Sequence, residues 1–164
     1  MARRRLAYGA LPRQPRNVLP AVGAYHVTSR GVARRAIFRD GDDHRFFIRL
    51  LQRASRRWRW QLLAYCLMPN HFHLVVFTEL ERLSRGMHLL NFRYAQAFND
   101  RYDRVGHLFQ GRFGARLVTG EEHLTAACAY VLDNAVRAGL CATRDEWPWI
   151  GGEVLVDLRG GVNG

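Results

Sequence analysis

Two histidines, His71 and His73, stand two residues apart in the run Met68-Pro69-Asn70-His71-Phe72-His73-Leu74-Val75-Val76-Phe77, near the middle of a 164-residue chain. In a strand, residues i and i+2 face the same way, so the two imidazoles project from one face and can hold one ion together. Phe72, Leu74 and Val76 turn an apolar face the other way, free to pack on a core. Pro69-Asn70 supplies turn chemistry just before the strand, because Pro presets φ and Asn tolerates tight geometry. Alone, such a pair also suits an ordinary half-exposed position in a sheet. Farther along, Tyr130 and Asn134 are four residues apart, hence neighbours on one face of a helix. A phenolic oxygen is a nucleophile once its proton leaves, and an amide oxygen can ligate a hard ion. Set opposite the histidines, they would complete a site of two imidazoles, one amide oxygen and open positions for phosphate oxygens.

These residues need a scaffold that brings them together, and the hydrophobic pattern supplies one. Tyr25 to Arg30 reads as a first strand closed by Gly31. Asp40 is a candidate N-cap for a helix to about Arg57, with Phe46, Phe47, Leu50, Leu51, Ala54 and Trp58 forming one apolar stripe. Trp60 to about Leu67 forms a second strand, joined to the histidine strand as an antiparallel hairpin. Both tryptophans of Arg56-Arg57-Trp58-Arg59-Trp60 are assigned to core packing, although such a basic and aromatic cluster can also stack on bases. A second helix spans about Leu80 to Asp100, with core positions Leu83, Met87, Leu90, Tyr94 and Ala97. Arg112 to Val118 makes a fourth strand. The order strand, helix, strand, strand, helix, strand predicts an α+β domain, a ferredoxin-like βαββαβ antiparallel sheet. An additional C-terminal helix carries Tyr130; a capping box of Thr119 and Glu122 opens it, Leu124, Ala127, Cys128, Val131, Leu132 and Ala135 form its stripe, and Gly139 stops it. With the first two helices on one face of the sheet, this one is expected on the other, over the histidines.

The length suits one compact domain at about residues 21–150, preceded by a basic flexible arm at 1–20 and followed by a flexible tail at 151–164. The net charge is +11, and all 25 basic residues are arginine. A GC-rich genome would account for Arg replacing Lys, but not for the excess over acids, which points to a polyanionic partner. Arg30, Arg34, Arg35, Arg112, Arg116 and Arg137 are the candidate DNA contacts. The apolar run Leu62–Met68 is too short to span a bilayer, which argues against a membrane location. Cys66, Cys128 and Cys141 show neither a disulfide framework nor a zinc-knuckle spacing, and are expected as reduced thiols in the cytoplasm.

Three blocks then resemble one family: Met68 to Val75; Gly106-His107-Leu108-Phe109-Gln110-Gly111-Arg112-Phe113; and Tyr130-Val131-Leu132-Asp133-Asn134-Ala135-Val136-Arg137-Ala138-Gly139-Leu140. Together they resemble the single-tyrosine HUH transposases, nearest the REP-associated tyrosine transposases that act on single-stranded DNA hairpins. The resemblance covers roughly residues 24–150. It implies metal ligands at His71, His73 and Asn134, a divalent Mg2+ or Mn2+ ion, and a nucleophile at Tyr130. It also implies a single-stranded DNA partner with a hairpin (a REP-like palindrome), cleavage and rejoining through a 5′-phosphotyrosine, and action as a monomer or homodimer. Many relatives have Pro where this chain has Ala135, which leaves the Tyr-to-Asn spacing untouched. Glu146-Trp147-Pro148-Trp149 resembles a tryptophan-rich stretch of the family, assigned to packing or hairpin contact. His107 lies in the second block and would either assist the site or make a structural hydrogen bond. A non-catalytic single-stranded nucleic-acid-binding domain, an HUH replication or mobilisation nickase, and a metallohydrolase that activates water are the alternatives.

Overall fold

The computed structural model describes residues 21–155. The expected basic arm at 1–20 and the end of the expected tail, 156–164, lie outside the described residues. The chain runs β1 (Val22–Arg30), α1 (Gly41–Trp58), β2 (Gln61–Met68), β3 (His71–Glu79), α2 (Leu80–Arg101), β4 (Gly114–Val118), α3 (Glu121–Leu132), α4 (Asn134–Arg137) and β5 (Ile150–Gly151). The strands form one antiparallel sheet in the order β4-β1-β3-β2-β5. Its first four strands follow the expected α+β, ferredoxin-like arrangement.

Alternation divides the sheet into two cores. Tyr25, Val27, Phe72, Leu74 and Val76 point toward α1 and α2 and pack with Phe47, Leu51, Leu83, Met87 and Tyr94. Ala24, Ala64, Cys66, Met68, Val75 and Val118 point the other way and meet Ala127, Cys128, Val131, Leu132 and Ala135. The third helical segment therefore covers the histidine face, as the pattern requires. The cap of α1 is the expected one: Asp40 accepts from the backbone N–H of Asp42 and Asp43 at 2.9 and 3.0 Å. In α2, Gly86 allows close approach to the end of α1 and the turn before β2, since a Cβ there would lie 2.3 Å from Trp60 and 2.8 Å from Trp58. Both tryptophans are thus packing residues.

Four expectations are corrected. The stripe of α2 ends on buried Phe98, not on Ala97, because the spacing between contacts shifts from three to four residues. No capping box forms at Thr119 and Glu122. Gly120, at φ +79°, serves as N-cap and starts the helix one residue later, moving Glu122 out of the third position; Thr119 N–H instead meets His123 Nδ1 at 3.4 Å. The helix does not continue to Gly139 either. It is interrupted at Asp133 (φ −90°, ψ 3°), whose carboxylate receives Nε and Nη2 of Arg144 at 2.8 and 2.6 Å, and Gly139 at φ +72° follows only the short α4. Finally, ordered packing passes residue 150, where a tail is expected. Gly151 pairs with Tyr65 on β2, Leu155 is buried in the second core, and the Glu153 carboxylate accepts from Gln61 at 3.1 Å. The tryptophan segment prepares this edge: Trp147 Nε1 donates to the Leu67 carbonyl at 3.1 Å and Leu67 N–H to the Trp149 carbonyl at 2.9 Å.

Candidate active site

The site lies where the middle strands meet α3 and α4. On β3, His71 and His73 share a face, with ring centroids 4.9 Å apart. Their cross-strand partners are Met68 and Cys66 on β2, and Arg30 and Thr28 on β1. The Pro69-Asn70 turn is tied to the loop after β1, because its carbonyls accept from Gly31, Ile37 and Phe38. That anchoring orients the first histidine. Asn70 Nδ2 donates to the Arg34 carbonyl at 3.2 Å, which leaves Asn70 Oδ1 facing His71 Nδ1 at 2.7 Å. An amide oxygen can only accept, so His71 carries its proton on Nδ1 and a lone pair on Nε2.

Tyr130, near the end of α3, comes down onto the same face, its ring centroid 6.0 Å from that of His73 in an edge-on arrangement. The Arg137 guanidinium from α4 lies over the phenol, 5.0 Å from its centroid. Asn134 opens α4 beyond the interruption at Asp133, so the pair expected on one continuous helix is carried by two segments. It remains at the level of the histidines: Cys66, the partner of His73, lies against the backbone of the adjoining Ala135. Burial pushes the Cys66 thiol up to about 12, which makes it an inert packing group. All three cysteines are free.

The electrostatics suit neutral imidazoles beside an anion. Burial, reinforced by Arg30, pushes His71 down to about 4. Burial first, then His26, His71, Arg30 and Arg116, hold His73 well below the ordinary imidazole range. Both rings are uncharged at neutral pH, the state in which imidazole ligates a metal. Among the described residues, no group of three or more His, Cys, Asp or Glu side chains converges on one point, so an ion here would depend on the amide. The amide is suited to it: Asn134 Nδ2 is a buried atom with no hydrogen-bond partner among the described residues. Since the two ends of an amide exchange by a flip, Oδ1 could take the same buried position.

The arginine candidates divide. Arg30, Arg116 and Arg137 gather around the histidines and the tyrosine. Arg34 and Arg35 are exposed in the turn beside Asn70. Arg112 precedes β4 and is not brought to this face. It borders a groove of about 770 Å³ along α2, which Phe92, His88 and exposed His107 also line. One buried side chain of the site is absent from the sequence-derived set. His26, on β1, is 3% exposed and places Nε2 2.9 Å from His73 Nδ1. Its ring centroid lies 5.1 Å from that of His73 and 5.9 Å from that of Tyr130. The available signal was strand alternation, which puts His26, Thr28 and Arg30 on one face of β1.

This fold is that of a transposase-type domain. A REP-associated tyrosine transposase, solved bound to a REP hairpin, superposes with a TM-score of 0.70 at 15% identity, covering 87% of this chain and 82% of that one. A Deinococcus radiodurans R1 protein described as a transposase is also similar, at 16% identity and a TM-score of 0.49, over 71% of this chain and 93% of its own. No curated protein matches the chain. Residues 22–134 match the model of the IS200-like transposases, and the chain belongs to that family. The matched span opens in β1 and closes on Asn134, so it takes in the histidine pair and Tyr130. Family and fold agree with the resemblance read from the three sequence blocks.

Proposed function

We propose that this transposase-family protein cleaves and rejoins single-stranded DNA at hairpin-associated sites, with Tyr130 as nucleophile and a 5′-phosphotyrosine as intermediate. The observation that carries the reading is the convergence of Tyr130, His71 and His73 on one sheet face, from elements far apart in the chain. A divalent ion, Mg2+ or Mn2+, would be held by His71, His73 and Asn134 and would supply charge neutralisation at a non-bridging oxygen of the scissile phosphate.

The protein's own groups do the rest. Arg30, Arg116 and Arg137 hold phosphate oxygens near the phenol, where guanidinium groups bind in a directional way. The phenol loses its proton to a base or bound water, and its oxygen forms a bond to phosphorus in line with the leaving O3′. O3′ departs and takes up a proton, giving a free 3′ hydroxyl on one strand and a phosphotyrosine at the new 5′ end of the other. One phosphodiester replaces another, so a second 3′ hydroxyl reverses the step without ATP. The DNA partner is a single strand with a REP-like hairpin. The REP-associated transposase of similar fold was solved on a REP hairpin, which supports that choice.

The test is to incubate the protein with labelled single-stranded hairpin DNAs, with Mg2+ or Mn2+ and with chelator. A metal-dependent, denaturant-resistant adduct mapping to Tyr130 is expected. Tyr130→Phe should keep DNA affinity within about threefold while losing cleavage by more than ~1000-fold. Equal cleavage by the variant refutes the nucleophile; cleavage without an adduct points to water as nucleophile, and binding with neither to a non-catalytic domain.

A further inference from the structure

His26 stands behind the proposed ligands, buried between β1 and α3, and touches both His73 and Tyr130. Its ring and those of His73 and Tyr130 form a triangle with centroid separations of 5.1, 5.9 and 6.0 Å. Of the two ring nitrogens 2.9 Å apart, one must donate and the other accept, because neither two N–H groups nor two lone pairs can face each other at that distance. If His26 donated to Nδ1 of His73, the proton of His73 would sit on Nε2, and neither nitrogen would be left to ligate. The opposite direction frees Nε2. Asn70 already forces that arrangement on His71 by accepting from Nδ1.

We propose that His26 is a positioning residue for the metal site: it accepts the Nδ1 proton of His73 at its own Nε2, and so holds His73 with its Nε2 lone pair toward the ion. Partners that accept from the far nitrogen of a ligating histidine fix its tautomer and orientation, and losing one typically costs 10–100-fold in metal affinity. The inference rests on the metal reading above. Ring contact with Tyr130 gives His26 a second effect, since the same buried side chain sets where the phenol stands relative to His73.

The first test needs no metal. Long-range 1H–15N spectra of the full chain at neutral pH, with His73 identified by comparison with His73→Asn, should show His73 protonated on Nδ1. A proton on Nε2 overturns the proposal. The second test titrates Mn2+ and follows loss of the free-ion paramagnetic resonance signal. His26→Phe keeps a ring but no acceptor and should bind Mn2+ roughly 10–100-fold more weakly, whereas His26→Gln, whose Oε1 can accept, should recover to within about fivefold of the wild type. Hairpin DNA binding in chelator should be unchanged in both. Equal Mn2+ affinity of His26→Phe and the wild type refutes the role. If the wild type binds no Mn2+, the metal reading fails, and the tautomer still decides whether His26 accepts.

Discussion

At the scale of single residues, hydrogen bonds one layer behind the candidate ligands hold them in place. Asn70 makes two different bonds with the two ends of one amide, and only the oxygen is left for His71. Asn70→Ala should therefore weaken Mn2+ binding by about tenfold, read by the same titration. The backbone bonds that fix the turn survive the change, so thermal stability should fall by less than about 1 kcal/mol. His44 tests burial elsewhere. Its ring is stacked between Phe38 at 4.5 Å and Trp149 at 4.3 Å, and its Nδ1 meets the Asp40 carbonyl at 2.8 Å. Burial lowers its pKa, against the opposing pull of that carbonyl and of the Asp43 and Asp40 charges. Because the folded value lies below the unfolded one, the contribution of neutral His44 is complete above the unfolded pKa of about 6.5 and is lost as pH falls below it. Urea midpoints should drop between pH 7 and 5, and His44→Phe should flatten part of that drop. His71 and His73, shifted the same way, contribute to what remains.

At the scale of elements, two joints decide geometry. Gly86 lets α2 press against Trp58 and Trp60. Gly86→Ala gains up to about 1 kcal/mol in helix propensity. It forces an overlap with two indole rings, which costs about 1–3 kcal/mol. With the full propensity gain the expected net is a loss of about 0–2 kcal/mol by urea denaturation, whereas a stabilised variant would show that the two rings give way. The interruption between α3 and α4 is the other joint. Tyr130 rides on the side of it packed into the second core, while Asn134 and Arg137 ride on the short segment beyond. The ion pair of Asp133 with Arg144 ties that joint to the segment leading into β5, so the edge strand and the site share a support.

For the whole molecule, the sheet separates two surfaces. One holds the histidines, Tyr130, Arg30, Arg116 and Arg137; the other holds the groove along α2 with Arg112 and His107. A net charge of +11 makes DNA affinity strongly salt-dependent. Log Kd plotted against log salt should be steep for the wild type. Arg30→Ala should reduce the slope by about 0.7, the value for one phosphate contact with a single strand. An unchanged slope would remove Arg30 from the DNA path. None of the described helices is long and apolar enough to cross a membrane.

Much of this protein is legible in the chain because local pattern decided it. Period-two alternation around His71 and His73 put the two histidines on one face of β3 and Phe72, Leu74 and Val76 on the other, packed into the first core. The Asp40 cap and the apolar stripes identified α1 and α2, and the alternation of strands and helices determined the ferredoxin-like order. Distances between elements are different, because they depend on packing that no local window contains. His26 became a partner of His73 only when β1 paired beside β3 and closed the face under α3. At the interruption Asp133 pairs with Arg144, eleven residues on, and the short β5 follows Trp147 and Trp149, which dock on the edge of β2. The sequence by itself determined which groups are candidates for the chemistry and which face they occupy; the tertiary structure decided which partners orient them, because a hydrogen bond between strands is specified by register and packing, not by spacing along the chain.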